Sequence, residues 1–326
     1  MKPRIVFLGN ALANALYNVW LGCVVGSDSY DNVWVHYQNV SELDITSMRT
    51  ADVIVMQISD IEEFDISDIA TNAKIIRFPY VNGSFLWPYA GYTHPRWGQT
   101  HMHLCGVFAG EFGDGFLAQL FQKGVTANDA VDIYADLDII RTQKIERRFE
   151  IGLETQRLRD QKAGFDVSIA DFIADNIGRL PLFISRQNLA KPLFWCLSRI
   201  VFSRLLNALG DCERKVGQAE LLHHISFWGL LEMPIHPKIV RHFRVSDRDS
   251  GYKFRVNRSR LTFDQYTSDY MKEIFQVDIF EGIRLLDQGQ YEAAEVRLRQ
   301  GLELAPSSPD AASAMGKLLA KLGRKH

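Results

Sequence analysis

The sequence predicts an α/β protein, in which a mostly parallel sheet flanked by helices is followed by a helical second half and a C-terminal helical hairpin. Short apolar segments near the N-terminus alternate with helix-forming segments, which is the pattern of a parallel sheet. The middle of the chain is rich in charged and apolar residues at helical spacing. The segment 271–326 has the glycine and apolar spacing of paired helices.

Four apolar segments are predicted to form the sheet: Arg4–Leu8, Asn32–Tyr37, Ala51–Ile58 and Lys74–Phe78. Helices are expected between them, including one over Ile61–Thr71 with acidic residues in its first turn. Sheets of this kind bind ligands at the carboxyl ends of their strands. A ligand site is therefore expected where the first strand ends.

The chain is expected to have three parts. Residues 1–125 are predicted to form the α/β ligand-binding core, and residues 126–270 a mainly helical region that completes the site. One long helix is expected from Thr126 to about residue 160, with its charged later part facing solvent. Residues 271–326 resemble a single tetratricopeptide repeat, which cannot bury its own apolar face and is expected to dock on the main domain or on a protein partner.

Composition excludes several classes of protein. With 326 residues and a net charge of −2, the chain has no basic field that favours nucleic acid. Its four cysteines are too far apart for a zinc site or a disulfide framework, which favours reduced thiols in a cytoplasmic protein. No stretch of about 18 apolar residues predicts a transmembrane helix.

Gly9 and Asn10 are the first candidate site residues, because they end a strand and begin a helix. The N–H groups and the positive dipole end of a helix N-terminus suit a phosphate or an oxyanion. The alternative is a tight turn in which Asn10 only caps the helix. No G-x-G-x-x-G pattern is present, so a Rossmann dinucleotide site is not expected.

The long loop after the fourth strand is the second candidate. It is rich in glycine, proline and aromatic residues, as functional loops of compact domains often are. His94 is the candidate general base, with His103 as the reserve base. The alternative is a structured loop of turn residues in which Arg96 is only solvated. The pair His101 and His103 lacks further ligands nearby, so no metal site is predicted.

A third candidate segment follows the apolar stretch Pro181–Ser185, which is expected to be a short strand. It would add a polar wall to the site, or would simply connect two elements. Phosphate contacts are expected from Arg96, Arg186 and Lys191. The predicted ligand-binding residues are Gly9, Asn10, Asn14, Asn82, Gly83, Ser84, Arg96, Ser185, Arg186, Asn188 and Lys191.

Several of these segments together resemble the WcbI family of capsular-polysaccharide biosynthesis enzymes. The resemblance rests on the strand before Gly9-Asn10, the strand ADVIVMQI, the loop from Phe78 to Pro95 and the segment Leu182–Asn188. It implies an α/β enzyme that transfers acetyl from acetyl-CoA, with coenzyme A as the acyl carrier and a carbohydrate as the acceptor. Relatives often place Cys-Gln after the opening Gly-Asn, whereas this chain has Ala11 and Leu12.

The leading hypothesis is therefore an O-acetyltransferase that acts directly, without a covalent acyl-enzyme. Backbone N–H groups near Asn10 or Gly83 are expected to stabilise the tetrahedral oxyanion. One alternative is a carbohydrate esterase of the Gly-Asn hydrolase type, with Ser84 as nucleophile. The other is a non-catalytic scaffold or nucleotide-binding module that recruits partners through its C-terminal repeat.

Overall fold

A computed structural model describes residues 2–23, 27–58, 66, 69, 72–91, 113–210, 232–245, 251–256, 259–272, 277–304 and 309–323. The chain folds into two compact units. The first comprises Met1–Leu86, Ile140–Gly229 and Ile239–Asp249, and the second comprises Trp87–Ile139, Leu230–Lys238 and Ser250–His326.

The first unit contains a parallel four-stranded sheet, which confirms the predicted fold class. Its strands lie in the order β2-β1-β3-β4. They are β1 (Arg4–Gly9), β2 (Asp31–His36), β3 (Val53–Ile58) and β4 (Lys74–Pro79). All four predicted strands are present: β1 and β3 are almost wholly buried apolar segments, whereas β2 and β4, at the edges of the sheet, are buried only in part.

The order of the strands positions the site. The chain passes from β1 outward to β2 and then returns to the other side of β1 to form β3. Connections therefore leave the carboxyl ends of β1 and β3 in opposite directions, and a crevice opens between these ends. Gly9 ends β1 at this point, and Gln57 lies near the end of β3.

Helices cover both faces of the sheet. On one face, α2 (Glu42–Arg49) contributes the fully buried Met48 to a cluster that includes Val6 and Ile54. On the other, Trp20 of α1 (Ala11–Cys23) packs edge-on against Phe202, with ring centroids 5.4 Å apart.

The middle of the chain differs from the expected single long helix. The described helices are α3 (Gly115–Gln122), α4 (Ala127–Asp136), α5 (Ile139–Thr142), α6 (Ile145–Lys162), α7 (Ile169–Asn176), α8 (Lys191–Leu209) and α9 (Pro237–Phe243). Leu137 takes a non-helical conformation and ends α4, and Lys144 takes a left-handed one (φ 49°, ψ 51°) before α6. These two backbone breaks divide the predicted helix into three.

Two smaller predictions also need correction or lie outside the described residues. The segment Pro181–Ser185 forms only an isolated antiparallel bridge from Phe183 to Leu189, because the chain turns back within five residues. Of the helix expected over Ile61–Thr71, only residues 66 and 69 are described.

The last elements of the second unit are a short hairpin and four helices. They are β5 (Phe254–Val256), β6 (Ser259–Leu261), α10 (Phe263–Met271), α11 (Val277–Asp287), α12 (Tyr291–Leu304) and α13 (Pro309–Lys321). The last three helices share a small core of Leu285, Ala294, Leu298, Ala314 and Leu318. Gly282 permits their close approach, since a Cβ there would lie 2.6 Å from Leu298 Cγ.

No helix in the described ranges is long and apolar enough to cross a membrane.

Candidate functional site at the carboxyl edge of the sheet

Gly9 allows β1 to turn directly into α1. A Cβ at this position would lie 2.7 Å from the Cβ atoms of both Ala13 and Gln57. Ordinary carbon contacts are about 3.5–4.0 Å, so any larger residue would force the helix away from β3. Gly9 therefore holds the first turn of α1 against the end of β3.

Asn10 and Gln57 close the crevice between β1 and β3. The Asn10 Oδ1 accepts a hydrogen bond from the Leu12 N–H at 2.8 Å, which is the geometry of an N-cap. The Asn10 N–H donates to Gln57 Oε1 at 3.0 Å. Gln57 is buried, and its Nε2 has no hydrogen-bond partner among the described residues.

The loop after β4 meets the loop before α8. The Gly83 N–H donates to the Arg186 carbonyl at 2.8 Å. A Cβ at Gly83 would lie 2.7 Å from the Phe183 ring, so only glycine allows this approach. The Asn188 N–H donates to Ser185 Oγ at 3.2 Å, and Ser185 is fully buried.

These segments enclose a small cavity, which we call the strand-end cavity. Its volume is about 30 Å³, enough for a water molecule or a small group. None of the described residues that line it is charged. The lining residues are Asn10, Ala11, Leu12, Tyr80, Gln187, Asn188, Leu189 and Phe194.

A second and larger cavity of the same unit lies along α6, and we call it the cationic cavity. Its volume is about 540 Å³, within the usual range of small-molecule sites. Among the described residues, its lining includes four cationic side chains and no carboxylate. The lining residues are Asn82, Ser84, Phe85, Thr142, Gln143, Lys144, Arg147, Arg148, Ile151, Gly152, Thr155 and Arg159.

The spacing of these residues along α6 explains the charge of the cavity. Positions 144, 147, 148, 151, 152, 155 and 159 repeat at three and four residues, so they share one helical face. Glu146, Glu150 and Glu154 also repeat every four residues, but on a different face. Arg147, Arg157 and Glu150 are largely exposed, so the helix carries a solvated charged surface as predicted, and the cavity is lined by one cationic part of that surface.

The two cavities share the segment 80–84 as a wall. Tyr80 lines the strand-end cavity, and the guanidinium of Arg159, which lines the cationic cavity, lies 5.3 Å from the centroid of its ring. Asn82 and Ser84 line the cationic cavity. The Asn82 Oδ1 accepts from the Ser84 N–H at 3.1 Å, which fixes this turn.

The remaining predicted residues are distributed as follows. The Asn14 Oδ1 accepts from the Asn18 side-chain amide at 3.0 Å, and Lys191 is exposed at the start of α8. Neither residue lines the two cavities. His94, Arg96 and His103 lie outside the described residues.

Several site residues were missed in the sequence, although some left a signal. Gln57 is the one polar side chain in the otherwise apolar strand VIVMQI, at its carboxyl end. Lys144, Arg148 and Arg159 have a spacing that a helical projection would have placed on one face. Tyr80 left no signal that distinguishes it from the other aromatic residues of its loop.

A buried polar network in the second unit is structural. The Tyr134 hydroxyl donates to Asp114 Oδ2 at 2.6 Å, and Asp114 caps α3. Burial raises the pKa of Asp114 above its usual value, against the lowering effect of these hydrogen bonds. His236 Nδ1 accepts the Lys238 N–H, so Nε2 donates to the Tyr134 carbonyl at 2.7 Å and the ring is neutral.

Within the described ranges, no group of three or more His, Cys, Asp or Glu side chains is arranged to hold a metal ion.

The fold and the site define an α/β protein with a polar crevice at the carboxyl edge of a parallel sheet. The sequence profile of the polysaccharide biosynthesis enzyme family WcbI matches residues 6–187, which is more than half of the chain. The chain therefore belongs to the WcbI family of polysaccharide biosynthesis enzymes, as the resemblance predicted. Searches of curated proteins and of solved structures found no match.

Proposed function

We propose that the protein is an O-acetyltransferase that moves acetyl from acetyl-CoA to a sugar hydroxyl in the synthesis of a capsular or surface polysaccharide. Membership of the WcbI family supports an enzyme of polysaccharide biosynthesis. The observation that carries the proposal is the meeting of three segments at one crevice. These are the turn at Gly9 and Asn10, the loop at Gly83 and the loop that ends at Asn188.

The residues present suit a phosphate-bearing acyl donor. Coenzyme A joins a thiol arm to a diphosphate-containing nucleotide, so it needs a neutral region and a cationic region. The strand-end cavity has an uncharged described lining and holds no more than a small group, which suits the carbonyl of the thioester better than a phosphate. The cationic side chains along α6 suit phosphate groups, and the segment 80–84 connects the two regions.

The proposed chemistry is direct acyl transfer. The acceptor hydroxyl oxygen bonds to the thioester carbonyl carbon, the carbon–sulfur bond breaks, and the hydroxyl proton passes through a base to the departing thiolate. His94 is the proposed base, with His103 in reserve. Ala11 follows Asn10, so no thiol at that position can carry the acyl group.

The geometry revises the donors proposed for the oxyanion. The N–H groups of Asn10 and Gly83 already donate to Gln57 and to the Arg186 carbonyl. We therefore propose that the oxyanion accepts hydrogen bonds from the N–H of Ala11, in the first turn of α1, and from the side-chain amide of Asn188. Both residues line the strand-end cavity.

The test is an acetyl-CoA turnover assay with a panel of sugar and nucleotide-sugar acceptors. His94→Ala is expected to lower kcat by 10²-fold or more, as loss of a general base typically does. His103→Ala serves as the comparison variant, and Asn18→Ala, on the outer face of α1, as the control. An unchanged rate in His94→Ala would remove His94 from the mechanism.

A second assay with an acetylated sugar in place of acetyl-CoA separates the other two hypotheses. A carbohydrate esterase hydrolyses the ester and releases acetate without any sugar acceptor, whereas a scaffold shows no turnover in either assay. Ser84 lines the cationic cavity, where no histidine or carboxylate is among the lining residues to activate it. No observation on the described residues therefore favours Ser84 as a nucleophile.

A further inference from the structure

We infer that the cationic cavity along α6 is a binding site for the diphosphate group of a nucleotide-linked substrate. The class of substrate rests on the proposed function, whereas the diphosphate site is argued from the cavity itself. Its lining places Lys144, Arg147, Arg148 and Arg159 around about 540 Å³, with no carboxylate among the lining residues that the structure describes. A chain with a net charge of −2 has no general excess of cations to explain this grouping.

The cationic side chains are held in different ways. The Arg148 Nε donates to the Gln143 carbonyl at 2.8 Å, and its Nη2 donates to Gln143 Oε1 at 3.3 Å. Arg159 lies against the Tyr80 ring. These contacts orient two planar guanidinium groups in advance, which lowers the entropy cost of binding an oxyanion.

Arg147 and Lys144 are more accessible. Arg147 pairs with Glu150 at 3.1 Å, but both side chains are about two-thirds exposed. Ion pairs of this kind are worth about 0–1 kcal/mol, so a phosphate can replace Glu150 as the partner of Arg147. Lys144 lies at the N-terminal end of α6, where the helix dipole adds to its positive charge.

The uncharged lining suits a phosphate ester as well as a simple ion. Ser84 and Thr155 offer hydroxyl donors, and Asn82 and Gln143 carry side-chain amides. Phe85 and Ile151 add an apolar wall, which a bare ion does not need but a nucleoside or a carrier arm would contact. Four cations match the charge of a diphosphate better than that of a single carboxylate.

Two sources could supply this diphosphate: the nucleotide part of coenzyme A, or an acceptor in the form of a nucleoside diphosphate sugar. The shared chemistry is first tested with inorganic diphosphate by isothermal titration calorimetry. Lys144→Gln and Ile151→Glu are each expected to weaken its binding about tenfold or more, because one removes a cation and the other adds a carboxylate.

Matched controls lie on the same helix but outside the cavity. Arg157→Gln removes a cation that pairs with Asp171 at 3.1 Å, and Gln161→Glu adds a carboxylate at an exposed position on the face that carries Glu150 and Glu154. Both controls are expected to change the diphosphate affinity less than twofold. Circular dichroism melts show whether each variant is folded, and Ile151→Glu is safe in this respect because Ile151 is 49% exposed.

Competition then identifies the source. If coenzyme A displaces diphosphate and dephospho-coenzyme A does so as well, the cavity holds the donor. The second experiment adds a nucleoside diphosphate sugar to protein that has bound both coenzyme A and inorganic diphosphate. If the sugar nucleotide then displaces the diphosphate, coenzyme A binds elsewhere and the cavity holds the acceptor. Either result supports a diphosphate site.

The inference is overturned if diphosphate does not bind the wild-type protein, or if it binds all four variants equally. Because calorimetry needs no turnover, a protein that binds diphosphate in this way but transfers no acetyl group would contradict only the proposed function.

Discussion

The strand-end cavity and the cationic cavity belong to the same unit, yet they are built on different principles. The strand-end cavity is formed by backbone turns and amide side chains that largely satisfy one another, as in the bond from the Asn10 N–H to Gln57. The cationic cavity is formed by long charged side chains from one face of α6. The first therefore depends on close packing, whereas the second depends on charge, and the two should respond to different substitutions.

The largest expected effect comes from filling the space at Gly9. Gly9→Val places a branched side chain where a Cβ alone would lie 2.7 Å from Ala13 and Gln57. Overpacking of this kind should lower the free energy of unfolding by about 3 kcal/mol, measured by urea denaturation.

Gly124→Ala is the control, since nothing lies within 4 Å of its added Cβ and only its left-handed backbone (φ 71°) is strained. It should cost about 1–2 kcal/mol. If the two variants lose the same free energy of unfolding, backbone strain is enough to explain the loss at Gly9, and its close packing against Ala13 and Gln57 is not the cause.

The next effect tests the bond between Asn10 and Gln57. Gln57→Leu removes the acceptor of the Asn10 N–H and should lower the free energy of unfolding by about 1–3 kcal/mol. Diphosphate affinity should stay within about twofold of the wild type, because no charge near α6 changes. A tenfold loss of diphosphate binding in this variant would place the phosphate at the strand ends instead.

Much of the fold was predictable from the sequence because its signals are local. Each strand is a short apolar segment, and Gly9 with Asn10 is a recognisable strand-to-helix turn. The site was predictable only in part. Gly83 and Asn188 were predicted, but their meeting depends on the bridge between residues 183 and 189 and on contacts far apart in the chain.

The cationic cavity was missed for a physical reason. In the linear sequence, α6 alternates acidic and basic residues and is close to neutral, as a solvated helix would be. Only the helical projection separates Arg148 and Arg159 from Glu146 and Glu154. The break at Lys144, which begins α6, also depends on a left-handed residue that is not glycine, and such residues leave little trace in sequence patterns.

A third prediction separates the contribution of Lys144 to diphosphate binding from its contribution to stability. Lys144→Gly removes a cation from the cavity and also removes a side chain from a left-handed backbone position. Diphosphate affinity should fall about tenfold, while the free energy of unfolding should change by less than about 1 kcal/mol, because the relief of strain offsets the added flexibility of glycine. The affinity is measured by calorimetry and the stability by urea denaturation. A loss of stability without a loss of affinity would mean that Lys144 serves only the helix.

The smallest expected effect concerns pH and lies outside both cavities. Burial raises the pKa of Asp269 on α10 to about 6, against the lowering effect of Lys272. Because the folded-state pKa exceeds the unfolded one, Asp269 contributes stability that is present below about pH 4 and is lost as the pH rises through 6. Asp269→Asn should therefore raise Tm slightly at about pH 8 and leave it unchanged at about pH 4. A rise at about pH 4 alone would contradict the sign of this shift.

The most direct test of the contrast between the cavities is to map where diphosphate binds. In a titration of ¹⁵N-labelled protein with inorganic diphosphate, we expect the largest amide chemical-shift changes at Lys144–Arg148 and at Ser84. The amides of Ala11, Leu12 and Asn188 should change little. Large changes at the strand-end amides, with those of α6 unaffected, would contradict a diphosphate site in the cationic cavity. They would indicate that the phosphate binds at the N-terminus of α1.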